Sequence, residues 1–459
     1  MPTAAVEHEL RRRLGDDAVL PGTSAAYLHD ATESRAIGGR ADAVALPRDA
    51  EQVAATVAWC YQHDVAIIPR GGGTGFAGGA VPVEGGVVLS LERLRALRAF
   101  EPERWRMWVE AGVPTSGVAR RARENGLLYP PDPGAAESSQ IGGNIATNAG
   151  GPHSFKYGVT GAWVTGLEVV LAPGELVRIG GPVRKDVAGY DLGALMIGSE
   201  GTLGVVTAAW LRLIPAPEAE LPVLAAYPDA DSGGAALAAV LAAGLQPATL
   251  EFLDAGAVSA ARATLPEGIP TTAGFVLIAE ADGSRAEAER VRDELVEVLG
   301  DGALAVHAPA TREATRALWR WRAGVSLAVT ASRGGKVSED IVVPSERLAE
   351  AVGATRAIGE RHGLPACSWG HAGDGNLHAT FMIDRDDPAE LGRAEEAAQE
   401  VFALAVALGG SVSGEHGIGL VKRGALARQW PPAALAAHAA IKAALDPKGL
   451  LNPGKKLAR

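Results

Sequence analysis

Three histidines and one glutamate in the second half of the chain carry the clearest chemistry. His371 and His378 bracket Ala-Gly-Asp-Gly-Asn-Leu, and Glu415-His416 follows inside Ser-Gly-Glu-His-Gly-Ile-Gly. A glycine-rich turn can bend the chain so that both imidazoles face one point, with His378 at the start of a strand over 377–383. Two imidazoles and the Glu415 carboxylate would hold a divalent cation and leave positions open for a substrate. Zinc is the expected ion, and manganese, iron or cobalt would also suit such donors. The spacing leaves another reading open, in which His371 and Asp374 merely hydrogen-bond within a tight loop. His416 is the candidate base. A bound cation lowers the pKa of a coordinated hydroxyl, and an imidazole of near-neutral pKa can then take its proton. The plainer alternative makes His416 a helix-start residue.

Glycine supplies the second signal. The chain has 58 glycines, gathered into loops between strand and helix patterns, where backbone can approach a ligand closely. Residues 70–79 read Arg-Gly-Gly-Gly-Thr-Gly-Phe-Ala-Gly-Gly directly after an apolar strand. Consecutive glycines leave several N–H groups pointing one way, which suits a phosphate, although a flexible turn would look the same. No Gly-Lys-Ser/Thr follows, and no helix pattern begins after the last glycine, so neither a Walker loop nor a Rossmann fingerprint is present. Residues 138–151 repeat the pattern with added Ser, Asn and Thr, and residues 198–204 add Glu200. Three such loops suggest a large ligand with a pyrophosphate and a flat ring system, a dinucleotide rather than a mononucleotide.

Read together, PRGGGTGFAGGA, PPDPGAAESSQIGGNIATNAGGPHSFKYG, RKDVAGYDL, GSEGTLGVVT, WGHAGDGNLH, SGEHGIG and DPKGLLNPGK occur in this order. The chain so marked resembles the FAD-linked D-2-hydroxyacid dehydrogenases, the group of the glycolate oxidase large subunit, D-lactate dehydrogenase and D-2-hydroxyglutarate dehydrogenase. The resemblance covers nearly the whole chain from about residue 40. It implies an α+β protein: a two-part FAD-binding domain of the vanillyl-alcohol oxidase type, plus an α+β substrate or cap domain with a largely antiparallel sheet.

The resemblance also implies roles. Pro69, Arg70, Gly71, Gly72, Gly73, Thr74, Gly75, Gly78 and Gly79 would hold the FAD pyrophosphate region. Pro131, Asp132, Ser138, Ile141, Gly142, Gly143, Asn144, Thr147, Asn148, Gly150, Gly151, Tyr157 and Gly158 would flank the cofactor. Glu200, Gly201, Gly204, Val205 and Val206 form a third contacting segment, and Asn452 would approach the flavin from the C-terminus. Some relatives attach FAD through a histidine in the first glycine loop. Here that loop carries Thr74 and no histidine, so non-covalent FAD is expected, with His153 in the second loop keeping the alternative open. His371, His378 and Glu415 match the family's metal ligands. A 2-hydroxy acid also needs a cation for its carboxylate, and Arg322 lies where relatives carry one, offering bidentate geometry. Ser326 one turn later, Lys336 and Asn376 are further substrate-binding candidates.

The elements that must position these groups are legible in outline. A helix over 49–64 has Asp49 as its cap, Gln52 in capping-box position, and Val53, Val57, Cys60 and Tyr61 on one face, which makes Cys60 a packing residue. Strands are expected over 65–69, 86–91 and 104–110, then a helix over 114–124, an irregular stretch over 130–161, a hairpin over 164–179 and a β-rich run over 205–214. Beyond Pro215-Ala216-Pro217-Glu218 strands are expected over 222–227, 248–253, 273–280, 304–308, 337–343, 366–370 and 377–383. Helices are expected over 230–243, 284–299, 311–331, 345–362 and 387–408. The expected organisation is an N-terminal helical segment (1–37), the FAD-binding domain (38–217), the cap domain carrying the metal site (218–440) and a C-terminal segment returning to the FAD site (441–459). Cys367 falls on an apolar strand and is expected in the core. Tyr157, Lys185, Tyr190 and Asp191 acquire no specific role beyond a structural one.

Composition narrows the function classes. With 459 residues, 47% hydrophobic, the chain is long enough for two domains and is not disordered. A net charge of −11, with no basic block beyond Arg11-Arg12-Arg13, argues against nucleic acid. Two cysteines cannot ligate an iron–sulfur cluster alone, no apolar run approaches a membrane span, and the N-terminus lacks a signal-peptide pattern. A cytoplasmic location is expected, peripheral attachment at the inner face of the membrane staying open. The expected activity is FAD-dependent oxidation of a D-2-hydroxy acid to the 2-oxo acid. The electrons would leave to an external acceptor: a quinone, a cytochrome, a flavoprotein carrier or an iron–sulfur subunit. The alternatives are an oxidase of another alcohol or sugar acid that uses O₂, a non-catalytic FAD-binding subunit of a glycolate oxidase complex, and a metal-dependent hydrolase without flavin. A homodimer is compatible with all of them.

Overall fold

The computed structural model describes residues 3–32, 35, 37–266 and 268–457. Residues 1, 2, 33, 34 and 36 of the expected N-terminal segment lie outside the described residues. The helix Thr3–Leu14 opens the chain and buries Val6, Leu10 and Leu14 against the first sheet. That sheet has four strands in the order Val19–Pro21, Ala43–Ala45, Val87–Ser90, Ile67–Arg70. Its last three strands are parallel, and their uninterrupted apolar runs fit burial on both faces. Helix Ala50–Gln62 packs on it, with the Asp49 carboxylate accepting the Gln52 N–H at 2.8 Å. The Gln52 side chain reaches back to the N–H of Arg48 at 2.9 Å, one residue before the position a capping box would use. Cys60 is buried in this core.

The second part of the same half is a five-stranded antiparallel sheet in the order Leu97–Glu101, Arg106–Glu110, Val205–Arg212, Val164–Leu171, Glu175–Gly180. The stretch 130–161 departs from the sequence reading. It contains the helices Ile141–Thr147 and Ser154–Tyr157, despite two glycines in the first. Tertiary burial of Ile141 and Ile145 outweighs the poor helix propensity of Gly142 and Gly143. Asn148 ends that helix in the left-handed region (φ 53°), and its side chain accepts the Gly161 N–H at 2.8 Å.

The second half is built on one seven-stranded, wholly antiparallel sheet. Its order is Ala305–His307, Ala219–Tyr227, Phe275–Gly283, Thr249–Asp254, Ala366–His371, Asn376–Asp384, Gly334–Val342. Helices Ala230–Ala242, Arg285–Gly300, Leu348–His362 and Pro388–Ala407 cover one face. The other face packs on the long helix Arg312–Arg333 through Leu318, Trp321, Val325 and Val329. The strand register places Glu251 opposite His371, Trp369 opposite His378, and His378 opposite Asp340. Because cross-strand partners share a face, all of these side chains stand on the face of the long helix.

A helix that the sequence pattern did not disclose, Pro432–Leu445, runs through position 440 and packs Ile441 and Leu445 on the core beneath the five-stranded sheet. After it the tail joins the first sheet: Ile67 donates to Leu450 O at 2.8 Å, and Asn452 donates to Ile67 O at 2.7 Å. Buried Asp446 anchors this return, accepting from Tyr61 Oη, Leu450 N (3.1 Å) and Leu451 N (2.9 Å).

Candidate active site

Three loops of the first half meet one loop of the second. Gly71 and Gly72 lie against the 138–143 segment so closely that a Cβ at Gly72 would come 2.2 Å from Ser138 O. Gly75 and Gly79, by contrast, face open space. Gln140 Oε1 and Asn452 Oδ1 are buried near this space without a hydrogen-bond partner. Glycine backbone with unmet acceptors around it suits a large ligand that brings its own donors.

Not every expected cofactor residue turns its side chain to this space. The Arg70 guanidinium donates to His29 O (2.7 Å) and Ala26 O (3.0 Å), clamping the N-terminal segment. Asn144 donates to Thr115 Oγ1 at 2.7 Å, Thr147 to Gly143 O at 3.1 Å, and Asp132 Oδ2 pairs with His153 Nδ1 at 2.6 Å. Tyr157 Oη donates to Asp282 at 2.5 Å, across the seam between the two halves. Gly204 is closed in by Val169, Leu171 and Met196, while Val205 and Val206 begin a strand. Asn452 Nδ2 donates to Gly79 O (2.9 Å) and Glu200 O (2.8 Å), tying the C-terminal tail to the 70–79 and 198–204 loops.

The loop 413–419 is held between the halves. Glu200 accepts the N–H groups of Ile418 (2.9 Å) and Gly419 (2.6 Å), and Leu420 N donates to Ala77 O at 2.7 Å. The Phe76 and His416 rings lie 4.6 Å apart, and a Cβ at Gly150 would meet Glu415 Oε2 at 2.8 Å. The 70–79 and 138–151 loops therefore both touch the Glu415-His416 pair. His416 sits in a turn with Gly417 and Gly419 at positive φ, not at the start of a helix.

Donor atoms of His371, His378 and Glu415 lie within 4.8 Å of one another. Glu415 Oε1 is 3.5 Å from His371 Nε2, 3.7 Å from His378 Nε2 and 3.8 Å from His416 Nε2. The other nitrogen of His371 is bonded to the buried carboxylate of Glu251, which fixes the ring's orientation as carboxylate partners do for metal-binding histidines. Glu251 also pairs with Arg322, leaving Arg322 Nε buried without an acceptor. Lys336 Nζ donates to the Ser326 hydroxyl and to Ser326 O (3.1 Å), and lies 5.3 Å from the Trp369 ring centroid. Asn376 uses its amide N–H groups internally, to Asp340 (2.6 Å) and Ile341 O (2.9 Å).

Charges in this site are set by burial and by each other. Burial and then the neighbouring His416 push His378 down to about 3, so it is a neutral imidazole. Burial opposes ionisation of Glu415, but His371 and then His378 and His416 outweigh it and hold the carboxyl at about 2. Burial likewise disfavours the charge on His371, yet Glu251 and Glu415 raise it well above its ordinary value. Among the described residues, Glu251 has Arg322 and Asp340 has Lys422 as cationic partner, whereas the ion pairs of Glu415 are with imidazoles alone. A half-buried carboxylate in that position fits a cation.

The sequence reading missed three residues here, Glu251, Asp340 and Lys422, and the loop-holding role of Glu200. A charged residue at an inward position of an apolar strand, as in Leu-Glu-Phe-Leu or Glu-Asp-Ile-Val, was the available signal. A surface cavity of about 1170 Å³ lies elsewhere, walled by Trp105, Trp163, Arg212 and the exposed Tyr190, and includes no member of the histidine cluster.

The FAD binding domain family matches residues 41–180, and the family of FAD linked oxidases, C-terminal domain, matches residues 216–456. The chain belongs to the FAD-linked oxidases. This FAD-linked oxidase is 40% identical over 434 residues to the glycolate oxidase subunit GlcD of Bacillus subtilis, covering 94% of this chain and 92% of the relative. It is 35% identical to the D-lactate dehydrogenase of Anaerostipes hadrus (88% and 87% covered). It is 37% identical to the D-2-hydroxyglutarate dehydrogenase of Xanthomonas citri pv. viticola (90% and 88% covered). Solved structures agree in fold. p-Cresol methylhydroxylase superposes with a TM-score of 0.81 at 18% identity, covering 98% of this chain and 96% of the other. The 4-ethylphenol oxidase of Gulosibacter chungangensis gives 0.78 at 19% identity, with 98% and 96% covered. The α+β architecture expected from the sequence, a two-part FAD domain of the vanillyl-alcohol oxidase type with an antiparallel cap sheet, is the one observed. No helix among the described residues is long and apolar enough to cross a membrane.

Proposed function

We propose that this FAD-linked oxidase oxidises a D-2-hydroxy acid of the lactate, glycolate or 2-hydroxyglutarate class to its 2-oxo acid, with a divalent metal and a histidine base. The observation that carries the reading is the convergence of three imidazole Nε2 atoms on Glu415 Oε1, within 3.8 Å, directly beside Gly150 and Phe76 of the FAD domain. Names borne by the relatives, all hydroxy-acid enzymes or subunits of them, support the substrate class.

Residues 70–79 and 138–151 would hold FAD, which would supply a hydride acceptor beside the Glu415-His416 pair. A divalent ion, zinc being the expected one, would be held by His371, His378 and Glu415 and would lower the pKa of the substrate hydroxyl. His416 takes the hydroxyl proton at Nε2, the nitrogen it turns towards Glu415. Arg322, its Nε an unmet buried donor, holds the substrate carboxylate. Ser326 and Lys336 stand one turn along the same helix and on the facing strand, where they complete the anion site. Asn376 has only its unpartnered Oδ1 to offer a substrate. The seam pairs Lys156–Asp282 and His153–Glu280 tie the second half to the 138–161 stretch of the first. Electrons leave to an external acceptor such as a quinone, a cytochrome, a flavoprotein carrier or an iron–sulfur subunit. The relatives named as glycolate oxidase subunits favour a protein partner.

Steady-state turnover with an artificial acceptor tests this. D-lactate, glycolate and D-2-hydroxyglutarate are compared with L-lactate, before and after chelation and after readdition of Zn²⁺, Mn²⁺ or Co²⁺. The reading expects at least one of the first three to be turned over, loss of activity on chelation, and recovery with metal. Activity indifferent to chelation with metal shown to be absent would remove the metal from the mechanism.

A further inference from the structure

We propose that Asp340 is a positioning residue that sets the Glu415-His416 pair in place. It rests on the roles proposed above for those two residues. Asp340 is fully buried (0% exposed) on the strand Gly334–Val342, opposite His378. A single oxygen, Oδ2, accepts three consecutive backbone N–H groups, from Gly414 (2.8 Å), Glu415 (3.1 Å) and His416 (3.0 Å). The same oxygen takes the Ser413 hydroxyl at 3.0 Å and Lys422 Nζ at 3.2 Å. The other oxygen accepts Asn376 Nδ2 at 2.6 Å.

The loop needs such a partner. Residues 413–419 belong to no helix or strand, so the amides of 414–416 have no ladder to satisfy them. Successive N–H groups converging on one point form an anion-binding nest, and here the anion is an internal side chain. Fixing those three peptide planes fixes the directions in which the Glu415 and His416 side chains leave the backbone. Lys422, 2% exposed, compensates the buried charge and ties it to the segment that follows. Through Asn376 the same carboxylate reaches the turn between His371 and His378, so the two halves of the cluster share one anchor. Asparagine in its place would offer one oxygen and one NH₂, and would set a donor against either the loop amides or Asn376 Nδ2.

The test uses the flavin-loaded protein and two variants, Asp340→Asn and Ser413→Ala. Amide hydrogen exchange is followed in peptides covering 411–420, and kcat and KM are measured separately with the 2-hydroxy acid that is turned over. Exchange in that peptide is expected to accelerate by about tenfold or more in Asp340→Asn, with other peptides and flavin content unchanged. The value of kcat should fall by a similar or larger factor while KM stays within about threefold, the pattern of a displaced reacting group rather than lost binding. If Asp340→Asn does not fold, Ser413→Ala, which removes one donor to the same oxygen, should show a smaller acceleration at the same amides. Exchange and kcat both within about twofold of the parent in the variants that fold would overturn the proposal. Because exchange is read with or without metal, a parent that binds no metal but loses loop protection in Asp340→Asn would sink the metal reading and leave the positioning role standing.

Discussion

The Glu200 carboxylate accepts the Gly419 N–H at 2.6 Å, so a residue of the chain's first half holds the loop that carries Glu415 and His416. Its other oxygen takes the Ile418 N–H at 2.9 Å, and Glu200 itself sits at positive φ (55°), a conformation that its neighbourhood must enforce. Glu200→Gln would turn one acceptor into a donor facing a backbone N–H, a cost of about 1–3 kcal/mol. The expected outcome is a lower melting temperature and faster loss of flavin on dilution, measured by flavin fluorescence of the filtrate.

Glu251 joins two functions, orienting His371 and neutralising Arg322. Removing its charge should weaken metal binding by about 10–100-fold. Glu251→Gln is expected to lose metal to a chelator at a concentration the parent withstands, as read by elemental analysis after gel filtration.

His416 is proposed to take the proton and to stand outside the metal's ligand set. His416→Ala should therefore keep its flavin and metal while kcat falls by about 10²–10⁴. Parallel loss of metal would move His416 into the ligand set instead.

Asp254 gives a pH signature remote from the chemistry. Burial raises its carboxyl to about 7, although it accepts the N–H groups of Ala257 (2.9 Å) and Ser368 (2.8 Å). An acid whose folded pKa exceeds its unfolded value near 3.9 is bound more tightly by protons in the native state, so its stability contribution is complete below about pH 4 and declines towards pH 7. The full swing is at most about 4 kcal/mol. Relative to Asp254→Asn, the parent should gain melting temperature as pH falls from 7 to 4, and a constant difference would contradict the shift.

The residues proposed to face substrate or cofactor stand out because chemistry restricts their types: His371, His378, Glu415 and His416 stand in short glycine-bounded motifs, and the loops proposed to hold the pyrophosphate are marked by glycine itself. Their supports do not stand out. Glu251 meets His371 only through the register of Thr249–Asp254 with Ala366–His371, and Asp340 meets His416 only once the chain has folded back from position 416 to 340. Local pattern carries no trace of such pairings. The helix Ile141–Thr147 was read as loop because Gly142 and Gly143 weigh against it, and their small size is what lets them approach Ala111 and Gly71. The helix Pro432–Leu445 shows no amphipathic stripe, since its alanines pack few side chains, and none of its residues is fully buried.

Anaerobic titration of the flavin-loaded protein with D-lactate, L-lactate, glycolate and D-2-hydroxyglutarate, followed by flavin absorbance, tests the central claim most directly. The account predicts rapid bleaching by D-lactate, glycolate or D-2-hydroxyglutarate, slow or absent bleaching by L-lactate, and abolition of the fast phase by chelation with recovery on adding a divalent metal. Flavin that stays oxidised in the presence of all four acids, in protein shown to hold both FAD and metal, would contradict it.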